Sequence, residues 1–184
     1  MKYFILILTL ILSIIFPTYT FSDIKLIAKL QSGGNIVFIR HAIAPGNGDP
    51  DIIDLNDCKT QRNLSLEGIN QSKKIGIFFK ENNIPIDIVL SSEWCRCKDT
   101  AKYAFNVFKT YNALNSFYDD KFYKFKERQI KDLRQYIKRW HGNKNLVFIT
   151  HYVVISEMLN IGASSGEIVI SNKNYEVLGK IETN

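Results

Sequence analysis

The chain has 184 residues, 46% of them hydrophobic and 23% charged, with a formal net charge of +6. Such a chain can bury a sizeable core as one globular domain, and its composition excludes a disordered, collagenous or repeat protein. A moderately basic balance favours anionic partners without identifying them, because net charge governs encounter rather than recognition.

Lys2 is followed by an apolar run from Tyr3 to Phe16 and then by Pro17, Thr18, Tyr19, Thr20, Phe21 and Ser22. The basic start, the short apolar core and the small residues Thr20 and Ser22 predict a secretory signal peptide over residues 1–22, with an uncleaved anchor as the alternative. Residues 23–184 then form a single domain of net charge +5, with 23 Lys and Arg against 18 Asp and Glu. Export would place it outside the cytoplasm, periplasmic or secreted, with no membrane span after cleavage. Disulfides persist there. Cys95 and Cys97 are too close for an easy mutual bridge, so Cys58 is expected to pair with one of them, leaving one free thiol. A zinc site is disfavoured, since Cys-x-Cys on a helix points its side chains apart.

Asp23 to Gln31 reads as a short helix, ended by Gly33-Gly34 before a buried strand from Asn35 to Arg40. The strand runs straight into His41. A long loop, Ala42 to Asn63, follows with Pro45, Gly46, Gly48 and Pro50. Its composition suits a structured loop over a site. Asp49 and Asp57 within it read first as turn acids, with loop ordering or substrate contact as the alternative. Ser65 and Glu67 start a helix that runs to about Lys80, and Asn82, Asn83 and Pro85 stop it. Ile86 to Leu90 is the second strand, leading through Ser91-Ser92-Glu93-Trp94-Cys95 to Arg96. A helix follows whose apolar stripe (Trp94, Cys97, Ala101, Ala104, Phe105) is core. A short strand is expected around Tyr111 to Leu114, then an aromatic, charged loop. Glu127 to Trp140 reads as a helix, and Asn145 to Ile149 as a third buried strand that exits into Thr150-His151. A helix from about Val153 to Leu159, a strand from Glu167 to Ser171 and an edge strand from Tyr175 to Glu182 complete an α/β alternation.

In a mostly parallel sheet, strand ends gather on one rim, so Arg40-His41, Arg96 and His151 can share one pocket. Two arginines can clamp phosphate oxygens in forked geometry, one imidazole can attack phosphorus, and the other can donate to oxygens that gain charge. The basic segment between Lys121 and Arg139 carries no nucleic-acid motif and reads as a solvated helix face with its aromatics turned inward.

Four stretches in this order resemble the histidine phosphatase superfamily, which includes phosphoglycerate mutases and histidine acid phosphatases. They are Phe38-Ile39-Arg40-His41-Ala42; Asn63-Leu64-Ser65-Leu66-Glu67-Gly68 with Gln71; Ser91 to Arg96 with Asp99-Thr100-Ala101; and Val147-Phe148-Ile149-Thr150-His151. The resemblance implies a three-layer α/β/α sandwich. It makes His41 the nucleophile that becomes phosphohistidine, and Arg40, Arg96 and His151 the rest of the phosphate site. It implies no metal and no cofactor. Two departures stand out. Ala42 occupies a position where many members have Gly. No Glu stands in the loop from Leu114 to Asp120, where many members keep the leaving-group acid, so Asp119 or Asp120 is the candidate, an exposed turn being the equal alternative for both, and Glu127 is a weaker one. His151 is followed by Tyr152, not by the Asp of the phytase-like branch. The expected function is an exported, metal-independent phosphomonoesterase acting on phosphorylated small molecules or phosphoproteins, not on nucleic acid. The alternative is a phospho-ligand-binding module of the same fold with weak or no chemistry. A mutase ranks third.

Overall fold

The computed structural model of the protein describes residues 21–183, so the apolar stretch of the expected signal peptide lies outside the described residues. Helix α1 (Phe21–Gln31) already contains the expected cleavage point before Asp23 in its first turn. Strand β1 (Ile36–Arg40) follows, then a 3₁₀ turn at Cys58–Thr60 inside the long loop, and helix α2 (Leu66–Glu81). Next come β2 (Ile86–Ser91), α3 (Cys95–Phe105) and a two-residue strand β3 (Lys109–Thr110). A 3₁₀ turn (Asn112–Leu114), the short helix α4 (Asp120–Tyr123) and α5 (Lys126–Arg139) lead to β4 (Asn145–Thr150). Helix α6 (Tyr152–Leu159), β5 (Ile168–Ser171) and β6 (Val177–Ile181) close the chain. The expected strand at Tyr111 to Leu114 is therefore corrected. Pairing with β2 is confined to Lys109 and Thr110, and the chain then turns so that Ala113 and Leu114 can bury themselves in the core.

Local chemistry sets several boundaries. Ser65 caps α2 by accepting from the Gly68 N–H at 3.2 Å, and Asn83 leaves the helix in the left-handed region at φ 52°, a conformation Asn tolerates better than most residues. The six strands lie in the order β3-β2-β4-β1-β5-β6; the first four are parallel, and β5 and β6 run antiparallel to their neighbours. Alternation along each strand splits the core into two layers. Ile36, Phe38, Leu146 and Phe148 face α5 and α6, where Leu133, Ile137, Val154 and Ile155 meet them. Val37, Ile39, Val147 and Ile149 face α1, α2 and α3 through Leu30, Ile75, Phe79 and Ala101. This is the three-layer α/β/α sandwich. Every one of these strand residues is fully buried, a contribution of about 1.5–3 kcal/mol per large side chain.

The same register positions the site. Parallel pairing sets Arg40 opposite Thr150 and Ser91 opposite Ile149, so β1, β4 and β2 end on one rim side by side.

Candidate active site

At that rim His41 donates its backbone N–H to the Thr150 carbonyl at 2.9 Å, and the Ser92 N–H reaches the Ile149 carbonyl at 2.9 Å. The pairing continues one residue past each strand and brings His41 and His151 together, ring centroids 5.5 Å apart at 65°. Arg96 sits in the first turn of α3, its guanidinium 3.4 Å from His151 Nδ1. His41, Arg96 and His151 are each 3% exposed, while Arg40 is half-buried. The four residues expected from the strand exits thus line one cavity of about 80 Å³. At about 30 Å³ per water molecule, that holds a group the size of a phosphoryl.

His41 Nδ1 lies 2.8 Å from the Ala42 carbonyl oxygen. A carbonyl only accepts, so Nδ1 carries the proton and Nε2 is left with its lone pair. Burial first, and the Arg96 charge second, hold His41 well below its ordinary 6.5; the same two causes act in that order on His151. Both imidazoles are neutral at pH 7. His151 Nε2 is 2.9 Å from Ser92 Oγ, whose hydroxyl also reaches Asn115 Oδ1 at 3.1 Å. The Ser92 hydroxyl donates to Asn115 and the Arg96 guanidinium can only donate, so His151 Nδ1 accepts from Arg96 and Nε2 carries the proton that goes to Ser92 Oγ.

Several residues of the four matching stretches hold this geometry. Thr100 Oγ1 accepts from the Ala42 N–H at 3.0 Å and donates to the Arg96 carbonyl at 2.7 Å, tying the β1 exit to α3. Gln71 accepts from the Ile43 N–H at 3.1 Å and donates to the Ser165 carbonyl at 2.8 Å. Gly68 packs so closely on the Ile43 backbone that a Cβ there would run into its carbonyl. Gly166, at φ +73°, directs its N–H to the Arg40 and His41 carbonyls at 3.1 and 3.2 Å. Ala42 is buried and is not among the residues of positive φ, so its methyl is accommodated without backbone strain.

Arg62 escapes the sequence reading, and Asp49 takes the role that reading ranks second, ordering the loop. Arg62 lines the cavity, its Nε donating to the Gly48 carbonyl at 2.9 Å and its Nη1 to the Ala44 carbonyl. The available signal was its position just ahead of the Asn63 to Gly68 stretch. Asp49, read as a turn acid, is instead clamped by Arg96 through both oxygens, at 2.7 and 3.0 Å, and by the Trp94 indole N–H at 3.1 Å. Its side chain is 3% exposed. Nothing in the local sequence pairs a loop acid with an arginine 47 residues away. Asp57 is the turn acid expected, accepting from the Lys59 N–H at 2.9 Å.

The expected proton donors stand farther out. Asp119 is half-buried beside Gly48, Asp120 is exposed in the first turn of α4, and Glu127 is exposed on α5; none lines the cavity. Among the lining residues Asp49 is the sole carboxylate. The Nε–H groups of Arg40 and Arg96 are buried without an acceptor. A site with three guanidiniums, two neutral imidazoles and unsatisfied donors is built for a small dianion.

The cysteines resolve as one bridge, Cys58–Cys95, which ties the Asp49 loop to the residue next to Arg96. Cys97 is free and buried, 3.5 Å from His151 Nε2, and burial pushes its thiol up to about 12. Such a thiol is inert. Among the described residues no cluster of His, Cys, Asp or Glu is placed to hold a metal ion, and no helix is long and apolar enough to cross a membrane.

No family profile and no curated protein sequence matches the chain. Solved structures do. The protein histidine phosphatase SixA complexed with tungstate superposes with a TM-score of 0.57 at 14% identity, over 81% of this chain and 97% of that one. A phosphoglycerate mutase from Thermus thermophilus gives 0.54 at 16% identity, over 82% and 99%. A mutant phosphoserine phosphatase from Entamoeba histolytica, in complex with phosphoserine, gives 0.53 at 16% identity, over 74% and 89%. The chain shares its fold with these solved structures, the three-layer α/β/α sandwich that the four matching stretches imply.

Proposed function

We propose that the protein is an exported phosphomonoesterase that works through a phosphohistidine on His41. The observation that carries this reading is the His41 Nδ1 contact to the Ala42 carbonyl, which leaves Nε2 unprotonated inside a cationic, buried cavity. A phosphoester dianion entering the cavity takes the place of the Asp49 carboxylate on Arg96 and satisfies the free Nε–H groups of Arg40 and Arg96. His41 Nε2 then forms a bond to phosphorus while the bond to the ester oxygen breaks, and the departing oxygen takes up a proton. The arginines stabilise the equatorial oxygens. Water attacks the phosphohistidine in the second step, releasing phosphate and restoring neutral His41. The guanidiniums of Arg40, Arg62 and Arg96 supply the positive charge, so the reaction proceeds without metal or cofactor.

Asp49 is the one carboxyl among the lining residues and, once Arg96 releases it, the first candidate to protonate the leaving group, with Asp119 behind Gly48 the second. A second reading, a phospho-ligand-binding module, is favoured by one observation: both oxygens of Asp49 are held by Arg96, and without their release the cavity lacks a proton donor. The structural relatives include both phosphatases and a mutase, so hydrolysis is tested against transfer. Hydrolysis of p-nitrophenyl phosphate in the presence of a chelator, abolished in His41→Ala, is the expected result. Turnover that survives in His41→Ala rules the mechanism out, and tight phosphate binding with no turnover at any pH favours the binding module. The disulfide and the basic-apolar N-terminus support export; secretion of the mature chain starting near Asp23 is the check.

A further inference from the structure

A concavity of about 1110 Å³, far larger than the catalytic cavity, runs along α5, bordered by Glu157 of α6 and the turn at Lys173 to Tyr175. Ile130 and Ile137 lie buried beneath it, and its rim is strongly basic. Lys131, Arg134 and Lys138 recur at i, i+3 and i+7 on α5 and therefore share one helical face, all exposed. Lys131 and Lys138 have no ion-pair partner among the described residues. Topology joins this groove to the active site. Helix α5 precedes β4 and α6 follows it, so both helices begin at the rim where His151 sits and descend from there. Two of the segments that line the cavity, one with Ser116 and Tyr118 and one with Tyr152 and Val153, continue into groove residues Tyr123 and Glu157.

We infer that this groove holds an acidic polypeptide segment flanking the phosphorylated residue of a protein substrate; the inference rests on the phosphatase reading of the cavity. Charge complementarity selects an acidic occupant, and the row of Lys131, Arg134 and Lys138 along α5 suits an extended polypeptide. A nucleic acid fits less well. Each ring of the groove already has a cation near its face, Lys126 at 5.6 Å from Tyr123 and Arg134 at 4.9 Å from Tyr175, and Glu127 and Glu157 stand among the cations and would repel a phosphate backbone. A bilayer surface requires a protruding apolar face, whereas this one is concave. Lys131 lies about 8 Å along α5 from its start and Lys138 about 18 Å, at 1.5 Å per residue. An extended chain rises about 3.3 Å per residue, which sets the acids about four to eight residues from the phosphorylated position, allowing for the α4 turn.

The test uses phosphotyrosine peptides with a glutamate run about four to eight residues to either side, alanine-run counterparts, and the unphosphorylated glutamate peptide as a binding probe. Wild type is expected to give a kcat/KM about ten-fold higher for one glutamate peptide, the size expected of two or three screened surface ion pairs. Lys131→Glu/Arg134→Glu/Lys138→Glu should erase both that preference and binding of the unphosphorylated probe, and Lys131→Ala/Lys138→Ala should weaken them partially. Turnover of p-nitrophenyl phosphate should not change in either variant. Equal kcat/KM for the paired peptides, or a preference that survives charge reversal, overturns the inference. So does tighter binding of a single-stranded oligonucleotide or of anionic vesicles through the same residues. Absence of all turnover with charge-dependent binding of the unphosphorylated probe intact overturns the phosphatase reading alone.

Discussion

Asp49 and Arg96 are both 3% exposed in their side chains, and breaking a buried ion pair by removing one partner costs about 3 kcal/mol because the survivor is left uncompensated. Asp49→Asn should therefore lower the thermal midpoint in anion-free buffer. Phosphate should raise that midpoint more in the variant than in wild type, since the dianion replaces the missing carboxylate. Equal phosphate stabilisation in both would show that the substrate does not occupy the Asp49 position. If Asp49 also protonates the leaving group, Asp49→Asn should slow alkyl phosphates more than aryl phosphates, and Asp119→Asn should not. The imidazoles give a separate test. Burial, then Arg96, keeps His41 and His151 neutral in the folded protein well below 6.5, whereas the unfolded chain takes up protons as pH falls through about 6.5. The stability they contribute is present above that pH and declines below it, by about 1.4 kcal/mol per pH unit for each imidazole until the folded values are reached. Urea unfolding across that range should show the loss, and His41→Asn should remove about half of this part of the slope. A slope unaffected by His41→Asn would mean that His41 titrates alike in the two states.

Elements carry the loop that carries Asp49. The Cys58–Cys95 bridge closes a separation of 37 residues and anchors that loop beside Arg96, a constraint on the unfolded chain of about 4 kcal/mol by loop-entropy reasoning. Cys58→Ser should lower unfolding free energy by that order and loosen the Arg96–Asp49 pair. Hydrogen exchange should then rise in residues 42–63 while the sheet stays protected. A variant with unchanged stability and exchange would show that the loop is held by its other contacts, such as Arg62 on Gly48 and Lys98 on the Leu55 carbonyl. The strands and long helices were legible because their signals are local: apolar runs with alternating faces, Ser65 as a cap, Asn83 and Pro85 as a stop. Residues 109–114 were not. Their course is set by the core that Ala113, Leu114 and Phe117 fill, and no periodicity encodes it.

For the whole molecule, the order of β2, β4 and β1 in the sheet gathers four residues spread from position 40 to position 151 into one cavity. Arg40, His41, Arg96 and His151 could be grouped in advance because each follows a strand, and parallel strands end together. Asp49 and Arg62 could not, because they enter the cavity from an irregular loop whose path depends on long-range contacts to Arg96 and Ala44. The lining carboxylate therefore stands on a different loop from the Leu114 to Asp120 segment where a proton donor was expected. The central claim is the covalent one, that His41 becomes phosphorylated. Rapid quenching of wild type with a labelled aryl phosphate, followed by peptide mapping under alkaline conditions, should recover one acid-labile, base-stable phosphoryl group on His41 that forms and decays at rates matching turnover. Phosphate release with no phosphoenzyme, or a phosphoryl group on any other residue, would contradict it.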